Sequence, residues 1–123
     1  MYSIHIDHER AVVSLSLRGL IHMTEMVAFV SELRIATQAL AGRCIRIRAD
    51  VREFRPVAPN VAELLRQIQA FGLQSGVVRV AEVVNSNVTA LQLNRIARES
   101  GTDRILRRFS DETEADAWLA EAA

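Results

Sequence analysis

The sequence CIRIRA, residues 44–49, alternates apolar and cationic side chains. This alternation has the period of a β-strand, whose successive side chains point to opposite faces of the sheet. The two isoleucines and the alanine are therefore expected to face a core, and Arg46 and Arg48 to face away from it. Because buried, unpaired guanidinium groups are very costly, we expect Arg46 and Arg48 to lie on an open sheet face.

On both sides of this strand, the hydrophobic periodicity switches repeatedly between that of strands and that of helices. Alternation recurs before it, in residues 2–7 and 11–18, and the short segment between them predicts an antiparallel hairpin. The other segments are two strands, residues 77–84 and 104–109, and four helical stripes that begin near residues 24, 60, 87 and 111. The predicted element order is ββαβαβαβα.

This order predicts an α/β fold with a mixed, mostly parallel five-stranded sheet, because helices of this length connect parallel strands. A parallel strand covered on both faces is nearly continuously apolar, whereas the strand at residues 44–49 alternates. We therefore expect the helices to lie mainly on one face. The 123 residues correspond to about one domain, so residues 1–123 are assigned to a single domain.

Composition excludes several classes of function. The charged residues comprise 15 basic residues and 15 acidic residues, so no net field attracts nucleic acid, and we predict no nucleic-acid partner. The sequence has one cysteine, Cys44, which excludes an internal disulfide framework. No apolar run approaches the roughly 18 residues of a membrane span, so we expect no membrane insertion and a cytoplasmic location.

The end of the chain resembles a known family. The stretch RFSDETEADAWL, residues 108–119, resembles the last strand and helix of SpoIIAA-like domains in the STAS/SEC14 superfamily. The segments VAEVV, residues 80–84, and LQLNR, residues 91–95, look like that family's fourth strand and third helix. The resemblance covers nearly the whole chain in pattern, and it implies a superhelix of successive β-α turns.

The same resemblance implies a role without catalysis. Members include anti-sigma factor antagonists, which bind a kinase and are switched by phosphorylation of a Ser or Thr where the helix after the third strand begins. Here that stretch is RPVAPN, residues 55–60, which has no hydroxyl side chain, so we predict that the switch is absent. Other relatives bind hydrophobic ligands between sheet and helices. The expected function is therefore protein–protein interaction, with a protein partner or a second copy; the alternative is a carrier or sensor of a small apolar or anionic ligand bound near the carboxyl ends of the strands.

Polar side chains cluster in sequence after the predicted strands, where open β-α sheets bind ligands. The candidate ligand- or partner-binding residues are Asp50, Arg52, Arg55, Asn60, Asn85, Ser86, Asn87 and Ser110. One interpretation is that Arg52 and Arg55 hold a small anion or an acidic partner segment beside the helix N-termini. The other is that Asn60, Asn87 and Ser110 (or its neighbour Asp111) cap helices and the arginines are solvated. Both remain open.

The remaining motifs give little support for chemistry. The face with Arg46 and Arg48 is expected to be a partner interface, or a solvated face on which Asp7 or Glu82 pairs with them. His5 and His8 are three residues apart, which in a strand places them on opposite faces, so no metal site is expected. No nucleophile elbow or glycine-rich phosphate loop is present in the sequence, and we predict no catalytic residues and no cofactor.

Overall fold

The residues that the computed structural model describes, 1–85 and 87–121, form five strands and four α-helices in the order ββαβαβαβα. The elements are β1 (Tyr2–Asp7), β2 (Val12–Leu17), α1 (Met23–Ala39), β3 (Ile45–Asp50), α2 (Pro59–Gln74), β4 (Val77–Val83), α3 (Asn87–Ser100), β5 (Leu106–Phe109) and α4 (Glu112–Ala120). A short 3-10 helix, Thr102–Arg104, connects α3 to β5. The predicted α/β class and element order are confirmed.

The strands lie side by side in chain order, β1-β2-β3-β4-β5. Strands β1 and β2 are antiparallel, as the short connection predicts, and the other neighbours are parallel. The register places His5 opposite Ser14, Ser14 opposite Arg48, and Arg48 opposite Ala81. Because paired residues point to the same side, each such row runs across the sheet on one face.

The first face of the sheet, which carries Val13 and Leu15, forms the main core. Phe29 of α1, Leu65 of α2 and Leu93 of α3 pack against it in one apolar cluster. Full burial of a side chain of this size contributes roughly 1.5–3 kcal/mol, so this cluster dominates the stabilisation of the fold. Three of the four α-helices in the described residues contribute to it, in agreement with the expected one-sided arrangement.

The second face, which carries Ser14 and the two arginines of β3, is covered in part by α4. Ala81 and Val83 of β4 pack against Ala115 of α4 in a second apolar cluster. The Trp118 ring lies against Phe109, with ring centroids 5.7 Å apart. The last helix therefore lies on the opposite side of the sheet from the other three.

The expected open face is wrong at Arg46 and Arg48, which are half-buried under α4. Arg48 donates from Nε to Asp116 Oδ1 (2.6 Å) and from a terminal nitrogen to Glu112 Oε1 (2.8 Å). Arg46 donates to the main-chain carbonyl of Leu119. Alternation correctly indicates that these arginines point away from the core. The alternation does not show that acidic side chains and helix-terminal carbonyls of α4 take the place of water around these two arginines.

None of the helices in the part of the chain described by the structure is both long and apolar enough to span a bilayer.

Candidate functional site

The carboxyl edge of the sheet, formed by residues 18–22, 51–58 and 84–85 together with residues 88–92 of α3, carries three of the eight predicted site residues, Arg52, Arg55 and Asn85. Its middle segment, residues 51–58, has little regular structure but is held in place by neighbouring backbone. The Gly19 amide donates to the Glu53 carbonyl (2.7 Å), and the Arg55 amide donates to the Gly19 carbonyl (3.2 Å).

Helix α3 holds the same segment from its other side. Thr89 donates from Oγ1 to the Phe54 carbonyl (2.8 Å). The Gln92 amide accepts from the Val57 N–H (2.9 Å) and donates to the Val57 carbonyl (2.8 Å). Because both sides are bonded, ordering this segment in a complex would cost little further backbone entropy.

Two of the predicted ligand-binding residues, Asp50 and Arg52, are bonded to each other. Arg52 donates from Nε (3.0 Å) and from a terminal nitrogen (2.7 Å) to the two carboxylate oxygens of Asp50. The hydrogen bond from Arg52 holds the pKa of Asp50 below its ordinary value. Arg52 also contacts Glu112 Oε1 at 3.1 Å, so its guanidinium group connects the end of β3 to the start of α4. The Arg52 guanidinium group is therefore already paired with carboxylates of the same chain.

The other predicted residues are more dispersed. Arg55, Asn85 and Ser110 are exposed, and within the described part of the chain the Arg55 guanidinium has no bonded partner. Ser86 and the side chain of Asn87 lie outside the described residues.

The expected capping role of Asn60 is wrong. Helix α2 begins at Pro59, with Ala58 at the N-cap position and no side-chain cap bond. Asn60 Oδ1 accepts instead from the amide of the next residue, Val61 (3.0 Å). The physical reason is that proline has the φ of the first helical turn and needs no amide partner there. At α4 the cap is Asp111, which accepts from the Thr113 amide (2.9 Å), rather than Ser110.

Sequence reasoning missed the apolar character of the carboxyl edge. Leu20 is 51% exposed, Val88 66% and Leu91 70%. Leu20 follows Gly19, and Val88 and Leu91 adjoin the α3 residues that hold the 51–58 segment. Leu91 and Leu93 are both apolar, but residues two apart on a helix point in nearly opposite directions, so only one of them can face the core. That spacing is the signal that could have found it.

A second feature lies inside the protein. An apolar cavity of about 80 Å³ lies between the first face of the sheet and helices α1 and α2. Most of its lining is aliphatic or aromatic, including Leu17, Phe29 and Leu65, but Gln69 and Glu82 also line it. Apolar cavities of roughly 150 Å³ in proteins bind benzene, and this one has about half that volume. A ligand of benzene's size would therefore require the helices to move outward.

Glu82 is a buried charge that sequence reasoning placed wrongly. It is 4% exposed and lies opposite Arg108 of β5, whose Nε is 3.0 Å from Glu82 Oε1. Arg108 also donates to Asn94 Oδ1 of α3. Burial raises the pKa of Glu82, and the charge of Arg108 opposes that rise.

The expectation that Glu82 pairs with Arg46 or Arg48 is wrong, because they lie on opposite faces. The signal is in the strand itself: Glu82 is two residues after Val80, which faces the main core. With a period of two, both side chains must point to the same face.

The two features differ in the interactions they provide. The carboxyl edge offers exposed apolar groups on a fixed backbone, and the cavity offers one buried carboxylate in an apolar space. Within the described residues, no three or more His, Cys, Asp or Glu side chains are grouped to hold a metal ion. No protein-family model matches this chain, and no curated protein is significantly similar to it.

Proposed function

We propose that this protein is a non-catalytic binding and regulatory module that recognises a protein partner at its carboxyl edge. One observation carries the proposal: exposed Leu20, Val88 and Leu91 flank the 51–58 segment, which is bonded on both sides. Exposed apolar groups on both sides of a rigid segment offer contact area to a partner without a large ordering cost.

The energetics favour a macromolecular partner at this edge. Burying a leucine or valine side chain contributes roughly 1.5–3 kcal/mol, and three of them offset only part of the roughly 4–15 kcal/mol that association costs, so a specific complex needs further contacts around the edge. Arg55, exposed beside them, offers a guanidinium group to a carboxylate of the partner. The matching partner surface is apolar with an acidic rim.

The resemblance to SpoIIAA-like domains supports this proposal, and membership of that family is part of it. In the antagonists of that family the partner is a kinase, and the interaction is switched by phosphorylation of a Ser or Thr. Residues 55–60 lack a hydroxyl side chain, so we propose that partner binding here is not switched by phosphorylation at that position.

The test compares Leu91→Glu with Ile35→Glu. Both residues are highly exposed, 70% and 66%, but Ile35 lies on α1, away from the carboxyl edge. Tagged wild type and both variants are purified from the native host after cross-linking, and captured proteins are quantified by mass spectrometry. We expect a protein that is retained by wild type and by Ile35→Glu and reduced at least about tenfold by Leu91→Glu. Equal retention by all three chains would exclude the carboxyl edge as the contact.

A second candidate function is a carrier or sensor of a small ligand, favoured by the interior cavity and its carboxylate. Its occupant would be an apolar molecule with a single hydrogen-bond donor that contacts Glu82. The buried Glu82–Arg108 pair supports this because ionisable groups buried beside cavities are characteristic of binding sites.

Native mass spectrometry of freshly purified protein tests the second candidate. We expect a retained small mass in wild type that disappears in Ala49→Leu, because the added methyl groups would fill space at the cavity wall. The same mass retained by Ala49→Leu, or absent from wild type, would contradict binding in the cavity. The Leu91→Glu variant, which leaves the cavity unchanged, is the matched control.

A further inference from the structure

A groove of about 860 Å³ lies on the second face of the sheet, between the outer strands and α4. Its floor consists of two rows of side chains that lie side by side on β1, β2 and β3: His5, Ser14 and Arg48, and then Asp7, Val12 and Arg46. Leu119 and Asp116 of α4 form one wall, and Arg10 of the β1–β2 turn lies at one end.

The charges in this groove do not cancel. Asp116 pairs with Arg48, with Nε and Oδ1 2.6 Å apart, and Arg48 also pairs with Glu112, so this pair adds no positive charge to the groove. Asp7 accepts from the backbone amide of Arg10 (3.1 Å), and in the described residues the Arg10 guanidinium itself has no partner. Arg46 uses one terminal nitrogen to reach the α4 carbonyl and keeps its other donors. Two arginines with donors to spare therefore oppose one carboxylate, Asp7.

We propose that this groove binds the phosphate monoester of a small apolar or aromatic alcohol. The phosphate lies between Arg10 and Arg46 and accepts further hydrogen bonds from Ser14 and His5. The organic group lies against Val12 of the floor and Ala120 at the end of α4. This site is on a different part of the molecule from the carboxyl edge and does not depend on the function proposed for that edge.

A phosphate suits these donors better than a carboxylate does. Two guanidinium groups, a hydroxyl and an imidazole from different segments line the groove. A phosphate monoester has three terminal oxygens and up to two negative charges, so it can use donors that a two-oxygen monoanion would leave unpaired.

The size and polarity of the groove favour a small molecule. Its volume is within the range of roughly 300–1,000 Å³ that is common for small-ligand sites. Val12 and Ala120 provide apolar surface beside the arginines, so an ester group adds contacts that inorganic phosphate cannot make. The preferred ligand therefore carries both a phosphate group and an apolar organic group.

Calorimetric titration with phenyl phosphate, inorganic phosphate and benzoate tests the proposal. We expect saturable binding of phenyl phosphate to wild type that is at least about tenfold tighter than binding of either other probe. Arg10→Ala should weaken it at least about tenfold, because a charge-assisted bond to phosphate is lost. Arg10 is exposed and its side chain has no partner in the described chain, so folding is not at issue.

Arg98→Ala is the matched control, since Arg98 is an exposed arginine in the last turn of α3. It should bind phenyl phosphate as wild type does, and so should Leu91→Glu, which separates this site from the carboxyl edge. Equal weak binding of all three probes would show a general charge effect and overturn the proposal. So would equal weakening by Arg98→Ala and Arg10→Ala, or no saturable binding of phenyl phosphate up to about 10 mM.

Discussion

The two faces of the sheet both pair an arginine with a carboxylate, but in different surroundings. On the first face, Glu82 and Arg108 are enclosed by the core, with side-chain exposures of 5% and 23%. On the second face, Arg48 is similarly enclosed at 19%, but its partners Glu112 and Asp116 are about half exposed, at 48% and 58%. Because the two arginines are similarly buried, the exposure of the carboxylate decides how much each pair matters for stability. A solvated carboxylate can lose its partner cheaply, whereas a buried one cannot.

The largest effect is expected for Arg108→Met, which breaks the buried pair. Methionine keeps much of the side-chain volume but leaves the Glu82 carboxylate in the core without a counter-charge. We expect a loss of about 3–5 kcal/mol in the free energy of unfolding at pH 7, measured by urea denaturation.

The matched double variant is Glu82→Leu with Arg108→Met, which removes both charges. It should recover most of the lost stability, because the main cost is the unpaired charge rather than the missing attraction. A double variant as unstable as Arg108→Met alone would show that the pair stabilises the core by its own attraction.

Trp118→Ala tests the packing of α4 on the second face. The Trp118 ring contacts Phe109, and the Arg79 guanidinium lies over it at 4.8 Å from the centroid. Because Trp118 is only half-buried, we expect a loss of about 2 kcal/mol by urea denaturation, which is less than a fully buried aromatic residue would give. Trp118→Phe should lose less than half as much free energy of unfolding as Trp118→Ala loses. A loss equal to that of Arg108→Met would mean that α4 contributes as much as the main core.

Arg48→Met is the same Arg-to-Met change as Arg108→Met, made on the second face of the sheet. Its partner carboxylates are about half exposed and can be solvated, so we expect a loss of about 1 kcal/mol after allowing for solvent screening. The loss should become smaller in 1 M NaCl, where the screening length is about 3 Å, whereas the loss in Arg108→Met should not. Equal losses in the two variants would remove the distinction between the faces.

Most of the fold was predictable because its signals are local. The alternation in residues 44–49 and the helical stripes determine element type and order, and the short β1–β2 connection determines the antiparallel pair. Local signals also indicate which way Arg46 and Arg48 point. They do not indicate the position of α4, because only tertiary contacts bring Glu112 and Asp116 over β3. The exposure of those arginines was therefore mispredicted.

The candidate site was less predictable for two reasons. Asn60 looks like a cap only while Pro59, which can occupy the first helical position, is ignored. The inward position of Glu82 follows from strand periodicity, but its tolerance in the core depends on Arg108, a residue of the neighbouring strand 26 positions later in the sequence. Pairing between distant strands is not encoded in the pattern of either strand alone.

The smallest expected effect is on the pH dependence of stability, because the two faces contribute with opposite signs. On the first face, burial raises the pKa of Glu82, so the folded state holds that proton more tightly than the unfolded chain does. Its contribution is present below about pH 4.5 and is lost as the pH rises through the folded pKa. On the second face, the pKa values of Asp50 and Glu112 are lowered by hydrogen bonds from Arg52 and Arg48. Their contribution is present at higher pH and is lost as the pH falls through the folded pKa values.

Urea unfolding between about pH 3 and pH 8 separates these contributions when wild type is compared with Glu82→Gln and Asp50→Asn. Relative to wild type, Glu82→Gln should become more stable as the pH rises above about 4.5, since it has no charge to bury. Asp50→Asn should become less stable than wild type as the pH rises from about 3, since it lacks the charge that Arg52 binds. If both differences changed in the same direction, the raised pKa of Glu82 would be wrong, and Arg108 would then neutralise the buried carboxylate fully. The first face would in that case hold a stabilising ion pair like that of the second, and a ligand donor would have no reason to bind at Glu82.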